Sequence, residues 1–97
     1  MQMSDRELVE LRMEINEIDE KIIELFNKRM QVVKEVANYK IANDMKVLDE
    51  SREEFIIKKH TDNINDPELK KEIGEFIRCL LKISRDAQEE VISSYRR

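Results

Sequence analysis

The sequence predicts an all-α fold, a three-helix protomer with one very long N-terminal helix, and three observations carry that prediction. Residues 5–43 contain neither Gly nor Pro and repeat their apolar residues with a helical period. Charged residues make up 41% of the chain against 5% aromatics, one Gly and one Pro, and strand-like alternation is nearly absent. Asp66-Pro67 joins a helix-capping side chain to a proline at the first helical position, where its missing N–H costs nothing.

The first helix is expected from about Asp5 to about Asn43, with Ser4 or Asp5 as its cap. Counted in heptads from Leu8, its a positions are Leu8, Ile15, Ile22, Arg29 and Val36, and its d positions are Leu11, Ile18, Leu25, Val32 and Tyr39. Arg29 is the one charge in that row. The neighbouring e row adds Phe26 and Val33, but also Arg12 and Lys40. Burying an unpartnered guanidinium or ammonium costs several kcal/mol, roughly, so this stripe calls for an anion.

The same helix is too long for its own domain. At 1.5 Å per residue it measures roughly 55–60 Å, whereas a compact chain of this size has a radius of gyration near roughly 12–13 Å. A short chain with such a helix needs support from elsewhere. Cys79 has no partner for an internal disulfide, and the lone His60 offers no metal cluster, so oligomerisation is the expected support.

Asn43 to Lys46 break the pattern, and Asp49 opens a second helix whose expected face holds Arg52, Phe55, Ile56 and Lys59 before it fades at residues 63–65. The third helix follows Asp66-Pro67 and reaches about Tyr95. Its stripe reads Leu69, Ile73, Ile77, Leu80, Ser84, Gln88, Val91 and Tyr95, again with two polar interruptions. No repeat or composition shift divides the chain, so residues 1–97 are read as a single domain.

Several function classes are excluded at this level. A net charge of −4 with acids and bases intermixed is not a nucleic-acid footprint. The N-terminus has no apolar leader region and no segment approaches a membrane span, so the expectation is a cytoplasmic protein with no membrane partner. No motif calls for a cofactor or a metal.

The charges fall into two groups. Arg29 and Lys40 are eleven residues apart, about 20° of rotation and about 16–17 Å of rise, so both face one region and their long side chains can converge on one small ligand. Arg12 lies about 25 Å before Arg29 and roughly 100° around the helix, too far to join them from the same chain. If two long helices pack antiparallel, crossing near Ile22 to Leu25, Arg12 of one chain comes level with Arg29 to Lys40 of the other. Charge spacing and helix length thus converge on an intertwined homodimer with two shared sites. Ser84 and Gln88, at i and i+4, point together from the third helix. With the cations they suit a compact ligand carrying two carboxylates, since Arg binds a carboxylate through a two-pronged fork. Asp49, Arg52 and Glu53 add a corner that reads a hydroxyl.

The ordered set Leu11-Arg12, Ile18-Asp19-Glu20-Lys21, Arg29, Lys40, Asp49, Arg52-Glu53, Ser84 and Gln88 closely resembles the all-helical chorismate mutases of the AroQ class. The resemblance covers nearly the whole chain in order and spacing. It implies a three-helix protomer, an interlocked homodimer, and isomerisation of chorismate to prephenate in aromatic amino-acid biosynthesis, with no cofactor. It further implies that Arg29 and the partner subunit's Arg12 clamp the substrate carboxylates, that Lys40 and Gln88 donate to the ether oxygen, and that Glu53 with the backbone near Asp49 contacts the ring hydroxyl. Arg52 would close that end and Ser84 would bind a carboxylate. Two alternatives are an isochorismate-pyruvate lyase of the same fold, which generally lacks the Asp49, Arg52, Glu53 grouping, and a non-enzymatic helical interaction module, which gives no reason for Arg29 at an a position. Because the chain ends just past the third helix, a monofunctional enzyme is expected. Feedback by aromatic amino acids, association with other enzymes and the fate of prephenate leave no mark in the residues.

Overall fold

The computed structural model describes residues 5–96 and consists of three helices: α1 from Asp5 to Ala42, α2 from Glu50 to Thr61 and α3 from Pro67 to Tyr95. Ser4, expected as a possible cap, lies outside the described residues. Among those described, no helix is long and apolar enough to cross a membrane.

Local chemistry explains three of these boundaries. α1 stops in a Schellman arrangement: the Met45 N–H donates to Lys40 O at 2.8 Å and the Asp44 N–H to Ile41 O at 3.3 Å, while Asp44 takes φ 50°, a left-handed conformation that Asp tolerates better than most residues. Asp49 caps α2 by accepting the Arg52 N–H at 3.0 Å, and its own carbonyl takes the first helical bond from Glu53. Asp66 caps α3, accepting from Glu68 N at 3.0 Å with Pro67 in the first turn. The predicted third helix is observed at both ends, and α2 begins one residue after its expected opener.

The chain divides into two compact units, residues 1–31 and residues 32–97. In the first, the expected heptad row is exposed: Leu8 (39%), Leu11, Ile15, Ile18, Ile22 and Leu25 (64%) all retain large accessible surface. In the second, the core is Val33, Ala37, Val47, Leu81 and Ile92. The a/d residues Val32, Val36 and Tyr39 are exposed there. Within the chain the covered face of this segment therefore runs through Val33 and Ala37 to half-buried Lys40, rotated from the a/d row by one position. Periodicity identifies apolar rows but not which one a given neighbour covers.

The same rotation affects α2, whereas on α3 the expected stripe is covered except at its two ends. The covered face of α2 carries half-buried Glu53, Ile56 and Ile57 and buried Thr61, while Arg52, Phe55 and Lys59 are exposed. On α3 the buried residues are Gly74, Leu81, Ser84, Gln88 and Ile92, and Leu69 and Tyr95 are exposed. Gly74 sits close to α2: a Cβ built there would lie 3.9 Å from Thr61 Cγ2 and 3.0 Å from Arg78 Nη1. The first distance is ordinary contact and the second is the far end of an exposed, flexible side chain. Gly74→Ala is therefore expected to stabilise the fold by about 0.5–1 kcal/mol, because the helix propensity gained exceeds the cost of moving Arg78. Thermal unfolding checks this, and a lowered midpoint would show that α2 and α3 need the glycine to approach.

Candidate active site

The second unit holds six of the eight residues singled out from the sequence. Lys40, in the last turn of α1, is half-buried, and its Nζ donates to Val47 O at 2.7 Å. The bond ties the end of α1 to the segment leading into α2, and it orders an ammonium that carries three donors. Val47 is itself buried, and its bond with Lys40 is part-buried.

Asp49, Arg52 and Glu53 surround the start of α2. The Asp49 side chain is engaged as the cap. The Arg52 guanidinium lies 5.7 Å from the centroid of the Phe55 ring, a cation–π contact on an exposed surface. Glu53 forms an ion pair with Arg85 of α3, Nη1 to Oε1.

Ser84 and Gln88 are both 7% exposed. The Ser84 hydroxyl donates to Leu80 O at 2.8 Å, a back-bond that lets a polar residue sit inside a helix packed on its neighbours. Gln88 differs: its Oε1 is buried with no hydrogen-bond partner. An orphaned buried acceptor costs about 1–3 kcal/mol, a cost that a donor reaching this oxygen would offset. Turning the amide about its last torsion exchanges oxygen for NH2, and the position can thus present a donor as well.

Arg12 and Arg29 belong to the first unit. Arg12 is exposed and Arg29 is half-buried on α1. Reasoning from the sequence missed Arg85, Thr61 and Gly74. Arg85 stands out only through its partner Glu53, 32 residues earlier in the chain. Thr61, whose Oγ1 donates to Ile57 O at 2.7 Å, satisfies itself within α2 and leaves no signal of its own. Among the described residues no group of three or more His, Cys, Asp or Glu could hold a metal ion.

What the second unit offers is an ammonium, a buried neutral amide and a carboxylate held by a guanidinium. Such a set can bind, orient and stabilise charge on oxygen. Comparison with known proteins agrees in kind. The family model described as chorismate mutase type II matches residues 11–89, a stretch that opens just before Arg12 and closes just after Gln88. The chain is also 38% identical over 58 residues to the bifunctional chorismate mutase/prephenate dehydratase of Buchnera aphidicola subsp. Schizaphis graminum (strain Sg), a match covering 60% of this chain and 15% of that protein. It thus matches only a small part of that relative's length.

Proposed function

The chain belongs to the chorismate mutase type II family, and from that premise we propose that it isomerises chorismate to prephenate by a Claisen rearrangement in cytoplasmic aromatic amino-acid biosynthesis. The observation that carries this reading is Gln88, a buried amide with an unpartnered oxygen on a face it shares with Ser84. A unimolecular rearrangement asks two things of a protein. It must hold a flexible dianion in a compact chair-like conformer, so that orientation is settled before the bond breaks. It must also stabilise the negative charge growing on the ether oxygen as the C–O bond opens.

In this reading Lys40 and Gln88 donate to the ether oxygen, Arg29 and the partner subunit's Arg12 clamp the two carboxylates, and Ser84 adds a hydrogen bond to one of them. Glu53, with the backbone near Asp49, accepts from the ring hydroxyl, and Arg52 closes that end. The site is shared between two copies of the chain. Supporting the dimer, the apolar row from Leu8 to Leu25 is exposed in the single chain, and covering such side chains contributes roughly 1.5–3 kcal/mol each. An antiparallel partner helix would cover that row and bring its own Arg12 to the Arg29–Lys40 segment.

The test is product identification after incubation with chorismate and, separately, isochorismate. Prephenate from the first is the expected result. Pyruvate released only from the second would assign a lyase instead, and turnover of neither would leave a helical interaction module.

A further inference from the structure

We propose that Arg85, which no part of the reading above uses, is a positioning residue: it fixes Glu53 so that one carboxylate oxygen is presented to the ring hydroxyl of the substrate. The inference rests on the proposed mutase reading and deepens it.

The ion pairs of the described residues differ in kind. Arg6–Glu10, Lys28–Glu24 and Lys82–Asp86 are i,i+4 pairs within single helices, with side chains 63% to 89% exposed, and pairs so exposed contribute little. Arg85–Glu53 joins α3 to α2 across 32 residues of sequence, and its side chains are only 33% and 21% exposed. The contact is single-pronged, Nη1 to Oε1. It occupies one carboxylate oxygen and leaves Oε2 with its lone pairs.

Placement gives this pair its consequence. On α3, Ser84 and Gln88 lie about 40° apart around the helix, and Arg85 lies about 60° beyond Gln88. Arg85 therefore flanks the buried polar face and anchors Glu53 at its edge. A glutamate left alone samples many rotamers, and ordering it when substrate arrives weakens binding. Arg85 settles that order in advance. Because a hydroxyl contact is made alike in the ground state and the transition state, its effect falls on KM.

The experiment compares wild type, Arg85→Met, Arg85→Lys, Glu53→Gln and the double variant Glu53→Gln/Arg85→Met. Each is assayed with chorismate and with an analogue whose ring hydroxyl is replaced by hydrogen. Arg85→Met is expected to raise KM for chorismate about 10-fold with kcat changed less than about 2-fold. With the analogue, wild type and variant should agree within about 2-fold, and adding Arg85→Met to Glu53→Gln should cost nothing further. Arg85→Lys keeps the cation and should recover most of the loss; it also supplies the measurement if Arg85→Met does not fold. Equal losses on both substrates, a fall in kcat at constant KM, or no recovery by lysine would overturn the inference while leaving the mutase reading intact. Wild-type protein that fails to turn over chorismate would overturn both.

Discussion

Lys40→Ala is expected to lower kcat for chorismate at least about 100-fold, the loss typical when a preorganised donor to a developing oxyanion is removed. Arg29→Ala is expected to lose as much, because an unclamped carboxylate lets the substrate leave its reactive conformer. Lys40 also donates to Val47 O, so its removal releases the connection into α2 and costs about 1 kcal/mol of stability besides. Circular dichroism and thermal unfolding, read beside turnover, separate the effects: a folded protein with a slightly lowered midpoint and collapsed turnover is the expected pair of results. Turnover retained within about 10-fold would remove Lys40 from the chemistry and leave it as the tether of the α1–α2 connection.

Mixing two inactive variants is expected to restore activity, provided that one lacks Arg12 and the other Lys40. In the proposed dimer each site takes Arg12 from one chain and Lys40 from the other. A heterodimer of Arg12→Ala with Lys40→Ala then has one site missing both residues and one site fully intact. Random reassortment makes half of the dimers heterodimers, so about a quarter of wild-type activity should appear from two preparations that have almost none. The control is Arg29→Ala mixed with Lys40→Ala, where both residues come from one chain to one site and every combination stays impaired. Recovery in the control, or none in the first mixture, would refute the shared site. Size-exclusion chromatography with light scattering on the same samples reports whether the dimer forms.

Much of the fold was legible because its signals are short-ranged. Asp49 and Asp66 announce helix starts through side chains that bond N–H groups two or three residues away. Pro67 places itself in a first turn, and the Asn43-Asp44 break becomes a helix end closed by bonds to Lys40 and Ile41. The candidate site was singled out for a related reason. Arg29, Lys40, Ser84 and Gln88 are polar where an apolar pattern leads the eye to expect otherwise, and two of them, Ser84 and Gln88, are buried. Arg85 was not legible, since a charged residue on a helix is unremarkable until the carboxylate it meets, 32 residues earlier, is known.

By itself the sequence determined three helices, their limits to within a residue or two, and the polar residues placed within apolar rows, because capping, turn chemistry and helical period act over a few residues. Which apolar row is covered within the chain was decided only by the tertiary structure: Val33 and Ala37 are buried beside exposed Val32 and Val36. The pairing of Glu53 with Arg85 and the isolation of the Gln88 oxygen were decided there too. The physical reason is that burial and ion pairing depend on what lies opposite a residue, and chain distance does not encode that.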